Sequence, residues 1–314
     1  MLRLIGQRLI SLIPLLFIVS VLTFSFTALL PGDPVDLIIG DEGTAEQYEM
    51  VRERLGMNVP IVTRYFQWLG RAAQGDLGTS FFNSVPVMDA VMQRLPVTIS
   101  LTAVSALIAV IVGMAAGIAA ALNPRSWIDR LATFGATLGQ AIPNFWFGIL
   151  LVAFFAVSLR WFPATGFTPI STSPWEWLRS VTLPALALGL SSSAAIARQV
   201  RSAMVGVLQQ DYIRAARAQG LSRRRVVFKH VLKNALIPVV AVLSFQITIL
   251  LGGALIVEQV FAINGLGSLA ISAVRQQDIP MIQGIVLVSV FIVVAIQLTT
   301  DMIYGFLNPK ARPS

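Results

Sequence analysis

Long apolar stretches separated by polar connectors dominate the chain, and six of them are long enough to cross a bilayer. They are Leu9–Leu30, Thr98–Leu122, Leu131–Leu159, Val181–Gln199, Ala235–Val257 and Ile282–Phe306. A spanning helix needs about 20 mainly apolar residues, since it rises about 1.5 Å per residue through a hydrocarbon core about 30 Å thick. The fourth stretch is the most polar, with Pro184, Gly189 and Ser191, Ser192 and Ser193 inside it. The pattern predicts an all-α integral membrane fold with six transmembrane helices. It divides the chain into residues 1–30 (N-terminal end and first span), 31–97 (a polar segment), 98–307 (a five-span core) and 308–314 (a tail).

The first stretch follows two arginines in Met1–Arg8, as a signal peptide would. Its apolar run is longer than the roughly 7–15 residues of a signal core, and no small-x-small cleavage site closes it. It is expected to remain as the first span.

The segment 31–97 has its own helix signals. Thr44-Ala45-Glu46-Gln47 is a capping box that opens a short helix, and Gly56 can end it. Pro60 can start a second helix with Ile61, Tyr65, Leu69 and Ala72 on one face. Nine of the fifteen acids of the chain lie here, so a small helical cap is expected.

Charge then orients the spans. Residues 1–8, 123–130, 198–234 and the tail hold 15 of the 23 Lys and Arg. Outside the long segment 31–97, which counts little in the positive-inside rule, the opposite face holds 3. Both termini are therefore expected in the cytoplasm. Composition agrees with a membrane protein: 56% of residues are hydrophobic and 12% charged, with a mean hydropathy of +0.77, against about 25% charged residues in soluble domains. The net charge of +8 reads as positive-inside bias rather than a nucleic-acid partner. Zero cysteines exclude disulfides and thiolate sites.

Gly113-x-x-x-Gly117 and Gly135-x-x-x-Gly139 would let helices approach closely. Gln140-Ala141-Ile142-Pro143-Asn144 places amides beside a helix breaker at bilayer depth. Gln140, Asn144 and Gln246 are candidates to line a translocation path, with interhelical hydrogen bonding as the equal alternative. Glu258, at the outer end of the fifth span, is a candidate outer gate. An ion-coupled secondary transporter would need ionisable groups near the midplane, and the spans lack them.

Catalytic patterns are missing. None of the three lysines, Lys229, Lys233 and Lys310, stands in a phosphate-binding loop. His230, the only histidine, sits among Arg223, Arg224, Arg225 and Lys229, where a solvated surface role is expected. No catalytic residue, metal ligand or cofactor is assigned to the chain.

Residues 198–234 carry the densest information. Asp211–Gln219 reads as a helix, Gly220 as its left-handed end, and Ser222 as the N-cap of a second helix running into the fifth span up to Pro238. The small residues Ala215, Ala216 and Ala218 would let this helix–turn–helix seat in a partner's groove. Its basic side chains could serve the positive-inside rule or pair with acids on a partner.

The string Tyr212-Ile213-Arg214-Ala215-Ala216-Arg217-Ala218-Gln219-Gly220-Leu221-Ser222, followed by Asn234-Ala235-Leu236-Ile237-Pro238, resembles the EAA loop of ABC-importer permeases. Its form is similar to that of the dipeptide, oligopeptide and nickel branch. Leu30-Pro31-Gly32-Asp33-Pro34, Gly75-Asp76-Leu77-Gly78-Thr79-Ser80, Phe145-Trp146-Phe147-Gly148 and Val257-Glu258-Gln259-Val260-Phe261 with Gly265-Leu266-Gly267 extend the likeness along nearly the whole chain. Three positions depart from the pattern: Arg214 for a frequent glutamate, Asn264 for a frequent proline, and Asn308-Pro309-Lys310 for Asp-Pro-Arg.

The resemblance implies a type I ABC importer permease of the bacterial inner membrane. It makes Asp211, Tyr212, Arg214, Ala215, Ala216, Arg217, Gly220, Leu221 and Ser222 the loop that couples to an ATPase. It also implies a second, similar permease, two ATP-binding subunits that hold ATP and magnesium, and an extracytoplasmic solute-binding protein. Peptide is the expected solute, with a nickel chelate or glutathione as alternatives. Segment 31–97 is then either a surface for the binding protein or a structural cap over the pore mouth.

Overall fold

A computed structural model describes residues 2–28, 35, 39, 44–54, 56 and 58–307, without the side chains of 2–11, 26–28, 54 and 307. The motif at 30–34 and the tail at 308–314 lie outside the described residues. The described helices are α1 (Leu2–Ala28), α2 (Ala45–Arg54), α3 (Ile61–Ala73), α4 (Val87–Leu122), α5 (Trp127–Ala141), α6 (Asn144–Ser158), α7 (Pro174–Leu208), α8 (Asp211–Ala218), α9 (Arg223–Val260), α10 (Leu266–Arg275) and α11 (Ile279–Leu307). Contacts divide the chain into two compact units, one built on Val97–Gly267 with Ala295 onward, the other on Gly6–Pro96 and Ser268–Val294.

Helices α4, α7, α9 and α11 are each long and apolar enough to cross a membrane. The third expected span is different. It is not one helix but two, α5 and α6, which meet at 101°. Pro143 supplies no N–H and stands just before α6, while Ile142 is extended (φ −85°, ψ 122°), so the ladder stops there. Within α6, residues Val152–Ser158 widen into a π-helical stretch. In α1 the described apolar part, Leu12–Ser25, is shorter than the spans above.

In the first unit α7 is the central helix: 72% of its apolar window is buried, against 28% for α4 and for α9. Lipid is as apolar as leucine, so close van der Waals packing rather than water exclusion must hold such helices together. Small residues provide it. A Cβ added at Gly113 would lie 2.7 Å from Ile196 Cβ, and one at Gly117 would lie 2.6 Å from the Ala197 carbonyl oxygen. From the other side, a Cβ at Gly189 would lie 2.6 Å from the Ser105 carbonyl oxygen. The second glycine pair behaves differently. Nothing lies within 4 Å of a Cβ at Gly135, and Gly139 has only ordinary contacts. Of the two sequence pairs, the first alone marks a tight helix crossing within the chain.

In the second unit the capping box forms: the Thr44 N–H donates to Gln47 Oε1 (2.8 Å), and the Gln47 N–H donates to Thr44 Oγ1 (3.3 Å). Gly56 is left-handed (φ +66°). Pro60 occupies the position before α3 rather than its first turn. The buried face of α3 is Tyr65 and Trp68; Ile61, expected on it, is 51% exposed. The register shifts because the two aromatics pack on Phe24 of α1, with ring centroids 5.4 and 5.7 Å away. The Tyr65 hydroxyl also meets Ser20 Oγ at 2.8 Å.

Candidate functional site

Helix α8 stands on an apolar base. Ile213 is fully buried and Ala216 nearly so, packed with Ile196, Val200, Met204, Val226, Val227, Val231 and Ala235. Periodicity explains the split, because positions three apart share a face of a helix. Asp211, Tyr212, Arg214, Ala215, Arg217 and Ala218 are exposed. Ala216, expected on the docking face, therefore belongs to the foot of the knob. The Arg214–Asp211 pair, at 3.7 Å, is solvated on both sides and holds little.

The end of α8 is closed by a Schellman motif. The Leu221 N–H donates to the Ala216 carbonyl (3.3 Å) and the Gly220 N–H to the Arg217 carbonyl (3.0 Å). This geometry requires a left-handed residue, and Gly220 has φ +79°. Ser222 is extended just before α9, but its hydroxyl makes no capping bond. Helix α9 does not stop at Pro238; it continues to Val260, with a π-helical stretch at Val226–Val231 near its start. Membrane helices tolerate an internal proline where neighbouring groups satisfy the freed carbonyl. Tyr212 links the knob to α9 through its hydroxyl, which accepts from Asn234 Nδ2 at 2.9 Å.

Beneath the knob lies a cavity of about 910 Å³ lined by Arg125, Arg201, Arg217 and Arg223 together with Leu208 and Leu221. One of these cations is spoken for. Arg201 donates from Nε and Nη2 to the two oxygens of Asp129, at 2.5 and 2.8 Å. The Asp129 carboxylate also accepts the Arg125 N–H (3.0 Å), which holds Arg125 left-handed at φ +63°. Bidentate geometry with a third donor makes this the most fully bonded ion pair among the described residues. It ties the α4–α5 turn to α7. Asp129 was not singled out by the sequence; the available sign was one acid isolated in a basic connector.

The break between α5 and α6 opens a second cavity of about 350 Å³ against α7, lined mostly by alanines, Phe147 and Leu190, with Asn144, Ser191 and Ser193 as its polar members. Of the three path candidates, Asn144 lines it and its amide nitrogen approaches Gly253 of α9 (3.7 Å from an added Cβ). Gln140 is exposed and Gln246 half-buried, and neither lines that cavity.

Glu258 has no exposed surface in the chain. Its Oε1 accepts the Thr98 hydroxyl (2.7 Å), whose oxygen accepts the Leu266 N–H (2.8 Å). The carboxylate fills the space that a side chain at Gly265 would need, and at Gly267 an added Cβ would run into Leu255 Cα and lie 3.0 Å from the carboxylate. Glu258 and the glycines thus form one latch, and the expected gate residue is enclosed in this conformation.

The Gly75–Ser80 motif is anchored comparably. Ser80 Oγ donates to Asp278 (2.5 Å), which also accepts the N–H groups of Phe81 (3.3 Å) and Met281 (3.4 Å) and so caps α11.

Known proteins share this architecture. Residues 113–313 match the binding-protein-dependent transport system inner membrane component, and residues 1–102 match the N-terminal part of such membrane components. A Brucella abortus protein whose name describes a peptide transport system permease is 42% identical over 312 residues, covering 99% of each chain. The glutathione transport system permease protein GsiC of Escherichia coli is 43% identical over the same length and coverage. Among solved structures, an inward-facing MetNI methionine ABC transporter aligns with a TM-score of 0.56 at 19% identity, covering 70% of this chain and 97% of that one. An amino acid ABC transporter aligns at 0.52 and 16% identity, covering 69% and 93%. At such identities these two speak for the fold alone.

Proposed function

We propose that this chain, which belongs to the family of inner membrane components of binding-protein-dependent transport systems, carries peptides inward as one permease subunit of an ATP-driven ABC importer. It is a multi-pass inner membrane protein that works with other subunits. The observation that carries the reading is the knob: a short helix anchored by Ile213 and Ala216, closed at Gly220, and presenting Tyr212, Arg214, Ala215 and Arg217 outward. A rigid projection with a solvated face is what a moving partner needs to push against.

In this reading the ATP-hydrolysing partners bind at the knob from the cytoplasm, where both termini also lie. Two such partners and a second, similar permease complete the membrane complex. A solute-binding protein delivers the load from outside. Closure of the ATPases pushes on α8; the Asp129–Arg201 pair and the π-helical start of α9 pass that motion into α7 and α9. Asn144 at the α5–α6 break lies on the path, and opening of the Glu258 latch accompanies the outward-open state.

Peptide is the solute best supported, because the relatives matching at both ends carry peptide and glutathione names. Glutathione is a second reading on the strength of the E. coli relative, and is itself a small peptide. A detergent pull-down with mass spectrometry tests the assembly. Recovery of a second permease, ATPase subunits and a binding protein is expected. Recovery of the chain alone, under conditions that keep other membrane complexes intact, would favour an ion-coupled transporter.

A further inference from the structure

Helix α3 carries an apolar stripe that the chain leaves uncovered. Val62, Phe66, Leu69 and Ala73 stand four, three and four positions apart, so they share one face. Val62 is 62% and Phe66 60% exposed; Ala73 is exposed and Leu69 half-buried. The other faces of the helix are accounted for. Tyr65 and Trp68 are buried against α1. Arg64, Gln67 and Arg71 line a cavity of about 310 Å³ together with Asp76 and Ser80. At 13 residues α3 is about 20 Å long, too short to cross the roughly 30 Å of a hydrocarbon core.

What covers the stripe follows from its place beside α1, the expected first span. Tyr65 meets Phe17 (6.3 Å between ring centroids), Ser20 and Phe24 of that helix. Helix α3 therefore lies alongside two turns within the apolar run Leu12–Ser25, not beyond its end. At that depth an uncovered side chain meets acyl chains. Helix α1 itself exposes Ile13, Phe17, Ile18 and Leu22, as a lipid-facing flank does. Tyr65 also touches Phe66, with centroids 5.2 Å apart. Phe17, Tyr65 and Phe66 thus form one apolar strip, running from the exposed flank of α1 onto the stripe of α3. Amphipathic helices with basic residues on the polar side and aromatic or aliphatic residues on the other lie along membrane interfaces in this manner. We propose that α3 lies in the membrane, with its Val62–Phe66–Leu69 stripe embedded among the acyl chains of the outer leaflet. The choice of leaflet rests on the cytoplasmic N-terminus of the reading above; the insertion does not. The polar segment that follows the first span is then moored in lipid by one of its own helices.

The test uses the absence of cysteine from the chain. Val62→Cys, Phe66→Cys and, on the polar side, Gln67→Cys are each made in the complete complex, labelled with bimane and reconstituted in phosphatidylcholine nanodiscs. Wild-type complex labelled in the same way supplies the background from partner cysteines. A doxyl group at carbon 5 of the acyl chain is expected to quench the Val62 and Phe66 labels about twofold or more over the Gln67 label, and iodide to quench in the reverse order. The two stripe positions are read independently, and gel filtration checks assembly of each variant. Iodide quenching of both stripe labels to the level of Gln67 would overturn the proposal, because the face would stand in water. Protection of both from either quencher would also overturn it, because a protein subunit would then cover the face. Sidedness is read apart from insertion. A membrane-impermeant maleimide is expected to reach Gln67→Cys in intact spheroplasts. Reaction only after lysis would refute the outer leaflet and the cytoplasmic N-terminus together, while the lipid quenching still decides the insertion.

Discussion

Gly220 offers a quantitative handle on the knob. Its φ of +79° serves the Schellman motif, and nothing lies within 4 Å of an added Cβ. Within the chain, then, a substitution there meets no steric obstacle, and its whole cost is the left-handed backbone. For an ordinary L-residue that cost is roughly 1–2 kcal/mol, a factor of about 5–30 in the population of the closed loop. Valine should cost most because its branched Cβ resists this region; asparagine, which tolerates it, should cost least. The assay is transport-coupled ATP hydrolysis of the reconstituted complex, with assembly checked separately. Expected coupling falls in the order Gly, Asn, Ala, Val, with the Val variant down about tenfold or more and basal hydrolysis retained. Wild-type coupling in Gly220→Val would refute the reasoning. So would an Asn variant as damaged as Val, since that would implicate crowding against a partner instead of backbone geometry.

Other positions give independent checks. Gly113→Ala should destabilise the permease by about 1–3 kcal/mol through overpacking against Ile196, whereas Gly135→Ala should be neutral or stabilise by up to about 1 kcal/mol, since its Cβ meets nothing; thermal unfolding in detergent compares them. Asp129→Ala should cost about 1–3 kcal/mol, less than a fully buried pair would, because the Arg201 side chain is 38% exposed. Combining Asp129→Ala with Arg201→Ala should recover part of that loss in a double-mutant cycle. Thr98→Val takes one donor from the Glu258 carboxylate and the acceptor from the Leu266 N–H and should lower stability by about 1–3 kcal/mol, measured the same way.

Much of this architecture was legible because membrane helices and their ends obey local rules. Hydrophobic run length located α4, α7, α9 and α11, but it read the third stretch as one span, with Pro143 noted as a helix breaker and the 101° break it makes left unseen. Gly220 and the helix before it followed from turn chemistry alone. What stayed hidden depends on partners distant in sequence. Asp129 finds Arg201 across 72 positions, Thr98 finds Glu258 across 160, and Ser80 finds Asp278 across 198. Composition cannot announce such pairs. The inward turn of Ala216 and the shift of the α3 face from Ile61 to Trp68 have the same origin: a helix has several plausible apolar stripes, and the neighbour it meets selects one.

The central claim is that ATP hydrolysed by partner subunits moves a peptide through this chain. Its most direct test is uptake of a labelled dipeptide into proteoliposomes holding the purified complex, with ATP enclosed in the lumen beside the ATPase subunits and the binding protein outside. The account predicts accumulation against a gradient that needs both ATP and the binding protein and survives proton and sodium ionophores. Uptake that proceeds without ATP and collapses when the ion gradients are removed would contradict it.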